Sequence, residues 1–236
     1  MPSPTADCVA VLMLDTRFPR PPGDIGCRET FARHGIPVRF ARVRGASPRR
    51  IVQQADASFL RPFLDAAARM AGRGARLITT SCGFLAAYQD ELAAAVPVPV
   101  VSSSLLLCRT FAHPGVVTFD ADALRTNILA SAQVPASTPV QGLAPGCEMQ
   151  RRILDNDAEL DLDEARRNVV DAALQLVLRH PQVEDIVLEC TNMPPYRDAV
   201  AQATGRRVHD IETLVVARWR GLMASVSHPA SRHCRR

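Results

Sequence analysis

The sequence predicts an α/β protein made of two pseudo-symmetric, flavodoxin-like domains that each carry a parallel sheet. Continuous apolar runs such as residues 8–14 indicate strands that are buried on both faces of a sheet. These runs alternate with stretches of helical periodicity, an order that is typical of parallel sheets. Residues 78–107 also align without a gap on residues 186–215, with 8 identities in 30 positions, which indicates an internal duplication.

In the first half, four predicted strands alternate with three predicted helices. A loop at residues 17–26 is rich in proline and glycine and follows the first strand, where loops of such sheets often build sites. Apolar residues at helical spacing support the helix at 56–71. The predicted strands lie at residues 8–14, 38–43, 77–80 and 98–101. The predicted helices lie at residues 29–34, 56–71 and 84–96.

The second half repeats the same order. Aspartates at 120 and 122 cap a predicted helix that runs to residue 131, and Leu160 opens a long helix that ends near residue 180. A further helix ends at residue 204, and the last one spans residues 211–224. The predicted strands of this half lie at residues 116–119, 139–143 and 186–189 and at Val208.

Two cysteines occupy equivalent positions in the repeat. Cys82 aligns with Cys190, and each follows a predicted strand and precedes a predicted helix. A helix N-terminus lowers the pKa of a thiol, and α/β sheets bind ligands at the carboxyl ends of their strands. Two halves paired about an approximate two-fold axis would bring the two thiols to opposite sides of a shared cleft. The other cysteines are interpreted as inert residues: Cys8, Cys27, Cys108, Cys147 and Cys234.

Two facing thiols can move a proton across a carbon atom without a cofactor. One thiolate takes an α-proton from one side and the other thiol returns a proton on the other side, which inverts the stereocentre. The carbanion that forms on the way needs N–H and O–H donors near its carboxylate. The sequence supplies such donors in loops at the same end of the sheets: the side chains of Thr16, Thr80, Ser81, Thr191 and Asn192 and the backbone amides of Gly83 and Thr191.

Three features resemble the aspartate/glutamate/hydantoin racemase superfamily. The first strand ends in Asp15-Thr16, a cysteine follows the third strand, and residues 189–192 read Glu-Cys-Thr-Asn. The resemblance covers nearly the whole chain. It implies a cofactor-independent enzyme of two pseudo-symmetric α/β domains, with the active site in the cleft between them. It also implies that residues 206–236 return to complete a first domain of residues 1–103, while residues 104–205 form the second.

The resemblance assigns roles to individual residues. It implies that Cys82 and Cys190 are the two catalytic bases and that the substrate is a small carboxylate. Asp15-Thr16 matches the Asp-Ser of glutamate racemases, and Cys190-Thr191-Asn192 matches their Cys-Thr-His, with Asn192 in place of the histidine. At the first site the small polar residues precede Cys82 instead of following it, which leaves the substrate open. The expected substrate-binding residues are Asp15, Thr16, Arg44, Thr80, Ser81, Gly83, Thr191 and Asn192.

The composition excludes several other chemistries. All 28 basic residues are arginine, so neither a pyridoxal phosphate Schiff base nor a Walker A loop can form. The formal net charge is only +4 and the arginines are spread along the chain, so we expect no nucleic-acid partner. No apolar run is long enough to cross a membrane, and the seven unpatterned cysteines indicate a reducing cytoplasm. We expect no metal, because His228, His233 and Cys234 fit a basic tail better than a metal site.

Several functions remain open at this point. The first is a racemase or epimerase of a small α-carboxylate, such as an acidic amino acid or a hydantoin. The second is a decarboxylase or a cis–trans isomerase of a small dicarboxylic acid, of the arylmalonate or maleate type, which can use one thiol. The third is a ligand-binding protein without catalysis. Dimers are common in such families, so a homodimer or a higher oligomer is open too.

Overall fold

The computed structural model describes residues 7–227, which form two four-stranded parallel sheets with helices around them. The strand order is β2-β1-β3-β4 in the first sheet and β6-β5-β7-β8 in the second. The predicted α/β fold of two similar domains is confirmed. The strands are β1 (Cys8–Met13), β2 (Val38–Arg42), β3 (Ala75–Thr80), β4 (Val100–Val101), β5 (Pro114–Thr118), β6 (Val140–Gly142), β7 (Asp185–Leu188) and β8 (Arg207–His209).

The helices follow the predicted order with two additions and one correction. The predicted helix at 84–96 is a 3₁₀-helix at Gly83–Tyr88 followed by a shorter α-helix, because every residue from 81 to 86 is buried and no solvent-facing side remains. The helix at Glu148–Leu154 and a π-helical turn at Arg49–Gln53 were not predicted. The α-helices are α1 (Arg28–Ala32), α2 (Leu60–Ala71), α3 (Gln89–Ala95), α4 (Thr126–Ser131), α5 (Glu148–Leu154), α6 (Leu162–Arg179), α7 (Arg197–Thr204) and α8 (Ile211–Ser227).

Strand β1 is covered on both faces, which is why its sequence is apolar throughout. Successive side chains of a strand point to opposite faces. Ala10 and Leu12 pack in the same cluster as Phe63 of α2, whereas Val9 and Val11 pack in a second cluster. The second cluster also contains residues of α8, including Val215 and Trp219. The first sheet is therefore enclosed between α2 on one face and α8 on the other.

The internal repeat is preserved in the strand register. Ile78 of β3 pairs with Val100 of β4, and the equivalent Ile186 of β7 pairs with Val208 of β8. A polar contact beside each of these strand pairs is equivalent as well. Gln89 Oε1 accepts a hydrogen bond from the Ser102 hydroxyl, and at the equivalent positions Arg197 donates to the buried Asp210 carboxylate.

Strand β8 and helix α8 contact different sheets. Strand β8 lies in the segment 206–236 that was expected to return to the first domain, and it pairs with β7 of the second sheet. The reason is the repeat itself, since β8 is the counterpart of β4. Helix α8 packs against the first sheet.

Two further observations concern residues 7–227 only. None of their helices has both the length and the apolar character that crossing a bilayer requires. They contain no group of three histidine, cysteine, aspartate or glutamate side chains arranged to hold a metal ion. His228, His233, Cys234 and the arginines of the tail lie outside this part of the chain.

Candidate active site

Cys82 and Cys190 line one small cleft at the carboxyl ends of the two sheets. Cys82 lies between β3 and the 3₁₀-helix at Gly83–Tyr88, and Cys190 lies two residues after the end of β7. The free space of the cleft, part of which is open solvent at its mouth, is about 330 Å³. Seven of its lining residues are apolar, and three of these are phenylalanines: Phe18, Phe84 and Phe119. None of the described residues that line the cleft is an aspartate, glutamate, arginine or histidine.

The polar side chains of the cleft are bonded to other protein groups. Ser81 Oγ accepts a hydrogen bond from the Leu14 amide at 2.8 Å, and the Thr191 hydroxyl donates to the Ser81 carbonyl at 2.7 Å. Asn192 Oδ1 accepts from Cys190 Sγ at 3.5 Å, and its Nδ2 donates to Asp24 Oδ2. These side-chain oxygens are therefore engaged before any ligand enters.

Two backbone N–H groups of cleft-lining residues have no hydrogen-bond acceptor in the described part of the chain. The amides of Gly83 and Thr191 donate to no acceptor within residues 7–227. The two residues are equivalent in the repeat, since each follows one of the cysteines. A pair of N–H donors beside a reacting carbon is the arrangement that stabilises a developing oxyanion.

Burial disfavours ionisation of both thiols. Burial, followed by the charge of Glu189, raises the pKa of Cys82 to about 12, whereas the amides of Phe84 and Leu85 and the charge of Arg20 oppose the rise. Burial also raises the pKa of Cys190 well above its usual value, and the charges of Glu189, Cys82 and Asp24 add to the effect. The Asn192 amide opposes the rise at Cys190, so at both thiols backbone amides work against the effect of burial.

Glu189 is a fully buried carboxyl group directly before Cys190, and it was not among the expected site residues. Oε2 accepts hydrogen bonds from the Thr118 hydroxyl at 2.8 Å and from the Phe119 amide at 3.3 Å, whereas Oε1 has no partner. Burial raises the pKa of Glu189 to about 7, against the opposing effect of these two hydrogen bonds. The one sequence feature that could have identified Glu189 as a site residue is its position directly before Cys190.

Arg20 and Asp24 form the other group that sequence reasoning missed. Arg20 donates to Asp24 Oδ1 at 2.7 Å and to the Thr16 hydroxyl at 2.9 Å, and it stacks on the Phe18 ring. Asp24 is almost fully buried and also accepts from Asn192. The chain of contacts thus runs from Arg20 through Asp24 and Asn192 to Cys190. The sequence could have indicated this pair, because the loop at 17–26 contains an arginine and an aspartate four residues apart.

The structure brings some of the predicted substrate-binding residues together and leaves others apart. Ser81, Gly83, Thr191 and Asn192 line the cleft with the two cysteines. The four others do not line it. Thr16 supports Arg20, Thr80 is buried and bonds the Ser102 and Cys82 carbonyls, Asp15 accepts from the Gly45 amide, and Arg44 is exposed beside that turn.

Solved structures of similar shape come from one superfamily. A variant of arylmalonate decarboxylase superimposes with a TM-score of 0.60 and 14% sequence identity, covering 90% of this chain and 93% of that one. Glutamate racemase from Francisella tularensis, in complex with D-glutamate, superimposes with a TM-score of 0.57 and 13% sequence identity, covering 93% of this chain and 82% of that one. A glutamate racemase from Bacillus anthracis superimposes with a TM-score of 0.59 and 13% sequence identity, covering 96% of this chain and 85% of that one. The chain has the fold of the aspartate/glutamate racemase superfamily.

Curated relatives of this racemase-fold chain carry a different activity in their names. The dimethylsulfoniopropionate lyase of Durusdinium sp. clade D is 29% identical over 218 residues, which covers 86% of this chain and 70% of the relative. Dimethylsulfoniopropionate lyase 7 of Emiliania huxleyi (strain CCMP1516) is 28% identical over 167 residues, covering 64% of this chain. The chain spans 49% of that relative's length and 44% of lyase 5 from the same alga. No protein-family model matches the chain.

Gly83 of the racemase fold is required by the close approach of Glu189. A Cβ atom at Gly83 would collide with Glu189 Oε1 and with the Glu189 carbonyl oxygen. We expect Gly83→Ala to lower the free energy of unfolding by about 1–3 kcal/mol, the usual effect of overpacking. Gly221→Ala is the control, because its Cβ meets nothing within 4 Å and alanine favours a helix. Urea unfolding measures both, and equal effects would contradict this reason for Gly83.

The buried Glu189 carboxyl should make stability depend on pH. Its pKa is about 7 in the folded protein and 4.5 in an ordinary setting, so between these values the folded state holds a proton that the unfolded state lacks. This contribution is complete below about pH 4.5 and is lost as the pH rises through 7. It amounts to about 3 kcal/mol. Urea unfolding at several pH values measures this. The difference in unfolding free energy between the parent and Glu189→Gln should fall as the pH rises from 4.5 to above 7. The difference between the parent and Glu91→Gln, a variant at an exposed site, should not change in this way.

Proposed function

We propose that the protein is a lyase that removes the α-proton of a small carboxylate and expels a sulfide from its β-carbon, with dimethylsulfoniopropionate as the first candidate substrate. The proposal is supported by the two thiols that share a small cleft, by the racemase-superfamily fold, and by the relatives that are named for this activity. The reaction needs no resident cofactor, because one sulfur base and hydrogen-bond donors supply its chemistry.

One observation favours a sulfonium substrate over an amino acid. The side-chain oxygens of Ser81, Thr191 and Asn192 are already engaged, so the cleft offers little to an α-ammonium group that donates three hydrogen bonds. A dimethylsulfonium group donates none. It carries a diffuse positive charge that suits aromatic rings, of which the cleft has three, and the nearby Glu189 carboxylate.

The chemical step follows from the groups in the cleft. A cysteine thiolate takes the α-proton, so a C–H bond breaks and an S–H bond forms. The electron pair that is released forms the carbon–carbon double bond, and the bond from the β-carbon to sulfur breaks with both electrons on the sulfur. The products are acrylate and neutral dimethyl sulfide. The free amides of Gly83 and Thr191 would stabilise the charge that develops on the carboxylate.

The test is incubation of the purified protein with dimethylsulfoniopropionate. We expect dimethyl sulfide and acrylate in equal amounts, measured by gas chromatography and by proton NMR. Parallel samples in deuterated water contain acidic amino acids, hydantoins and substituted malonates, and α-hydrogen exchange is followed by NMR. Absence of both products, together with exchange on a member of this panel, would overturn the lyase proposal.

A racemase or epimerase, that is an isomerase, is the second candidate. The observation that favours it is the pairing of equivalent groups: two cysteines, each followed by a free amide, at positions related by the repeat. Inversion requires a base on each side of the carbon, whereas β-elimination requires one. Exchange with inversion on an amino acid or hydantoin of the panel would favour this function. Loss of carbon dioxide from a malonate would favour the decarboxylase.

A further inference from the structure

Phe84 stands between the cleft and a second cavity, which we call the outer cavity. The outer cavity has about 540 Å³ of free space, part of which is open solvent at its mouth. It is lined by residues 51–57, by the 3₁₀-helix at Gly83–Tyr88 and by the first turn of α4 with the residue before it. Among the described residues that line the two cavities, Phe84 is the one that both share, and it is buried. It therefore forms part of the wall between them.

The rest of this wall is the π-helical turn. Ile51 lines the outer cavity and the next residue, Val52, lines the cleft, so the backbone itself runs between the two spaces. The turn is tied to the start of α4, because Arg125 donates a hydrogen bond to the Gln53 carbonyl at 3.0 Å. A single substitution cannot remove this backbone. The Phe84 side chain is the part of the wall that a substitution can remove.

Phe84 is held firmly beside the reactive thiols. It comes two residues after Cys82, and Gly83 between them lies so close to Glu189 that a Cβ atom there would collide with it. The Leu85 amide donates to the Cys82 carbonyl at 3.1 Å, which fixes the turn that carries Phe84. The Phe84 side chain packs in the larger hydrophobic cluster. We therefore expect the wall to stay in place when a ligand enters the cleft.

The outer cavity suits an apolar chain. Its inner end is formed by buried apolar side chains, those of Ile51, Leu85 and Ile128. The one charged side chain among its described lining residues is that of Arg125, which is exposed. A positive charge at the rim repels a cationic group and leaves an alkyl chain unaffected. The space would thus accept an extension of a substrate, but not its sulfonium centre.

We propose that Phe84 sets the upper size limit for the substituents on the substrate's sulfur atom, by closing the cleft off from the outer cavity. The cleft accepts methyl-sized groups, and a longer alkyl chain finds room only when the Phe84 ring is removed. Such a wall determines specificity by overlapping with the larger group, and it needs no bond to the substrate. The identity of the substrate rests on the proposed function, whereas the size limit beside the thiols does not.

Two sulfonium compounds measure this limit: dimethylsulfoniopropionate and its S-methyl-S-propyl analogue. Both undergo the same elimination to acrylate, and the sulfide that leaves is dimethyl sulfide or methyl propyl sulfide. We expect the parent to prefer the dimethyl compound. Phe84→Ala should raise the ratio of kcat/KM for the propyl compound to that for the dimethyl compound at least about tenfold, because two more methylene groups can be buried. An unchanged ratio would overturn the proposal.

Alkylation of the cleft thiols tests the size limit without turnover. Iodoacetamide and N-propyliodoacetamide carry the same reacting group, so the ratio of their rates at one cysteine reports size and not the pKa of the thiol. Mass spectrometry follows Cys82 and Cys190 separately. Phe84→Ala should raise the relative rate of the longer reagent at Cys82 several-fold, and an unchanged ratio would contradict the wall. If the parent turns over no sulfonium compound, the lyase proposal fails, and this ratio alone decides on Phe84.

Other variants control for a loss of packing. Ile128→Ala removes a buried apolar side chain from the outer cavity but keeps the wall, so neither ratio should change. Phe84→Leu is the substitute if Phe84→Ala does not fold, and its ratios should shift in the same direction. Ala57→Trp, combined with Phe84→Ala, fills the exposed end of the outer cavity and should return both ratios towards the parent values. Equal shifts in Ile128→Ala, no shift in Phe84→Leu, or a shift that Ala57→Trp leaves untouched would each overturn the proposal.

Discussion

Serine in place of the cysteine that takes the α-proton, Cys82 or Cys190, is expected to lower the turnover of dimethylsulfoniopropionate by roughly 10²–10⁴-fold, the usual effect of losing a general base. Serine preserves the size of the side chain and its hydrogen bonding. Its hydroxyl, however, does not ionise in the accessible pH range, so it cannot take the α-proton. Both sulfur atoms line the same cleft, at the ends of β3 and β7, and neither has a substitute base among the lining residues.

The two single variants also separate the candidate reactions. A lyase uses one base, so we expect unequal losses, with slow elimination left in the variant that keeps the proton-abstracting thiol. A racemase uses both, so either replacement would abolish inversion, while one face of the carbon could still exchange its hydrogen for deuterium. Cys147→Ser is the control, since Cys147 is half-buried outside the cleft, and it should stay within about twofold of the parent. Full activity in both cleft variants would contradict thiol catalysis.

The repeat explains why so much of the fold could be predicted. Eight identities fixed the alignment of residues 78–107 with residues 186–215, and the strand register of Ile78 with Val100 recurs in Ile186 with Val208. Strand β8 is part of the repeated unit, and only α8 crosses to the first sheet. The segment at Gly83–Tyr88 was predicted as part of an α-helix and is a 3₁₀-helix, because its buried first four residues show no helical periodicity.

The residues that support the thiols were harder to predict than the thiols. Cys82 and Cys190 stand out because the repeat aligns them, and Ser81, Gly83, Thr191 and Asn192 are their neighbours in sequence. Glu189 has no counterpart, since residue 81 is a serine at the equivalent position. Arg20 and Asp24 reach the cleft only because the loop at 17–26 folds back onto Asn192. Such contacts depend on tertiary packing, which periodicity and spacing do not report.

Asp24→Ala is expected to have the largest effect on stability. The Asp24 carboxylate is 1% exposed and accepts hydrogen bonds from Arg20, from the Gly26 amide and from Asn192. Its removal leaves the Arg20 guanidinium, only 11% exposed, without its counter-charge. Breaking a buried ion pair from one side lowers stability by about 3–5 kcal/mol. The Asn192 side chain also loses the group that orients it towards Cys190, so turnover should fall as well.

A matched pair elsewhere in the chain controls for the loss of charge. Arg61 and Asp65 form an ion pair of the same types and spacing, but their side chains are 81% and 45% exposed. Asp65→Ala should therefore change the free energy of unfolding by less than about 1 kcal/mol. Urea unfolding of both variants at pH 7 gives the two values, and an unchanged m-value shows that the midpoint shift reports stability. We attribute the larger loss to the burial of the Arg20–Asp24 pair, which holds the loop against the cleft. Similar losses in the two variants would contradict this view, because the loss of a charge would then account for both.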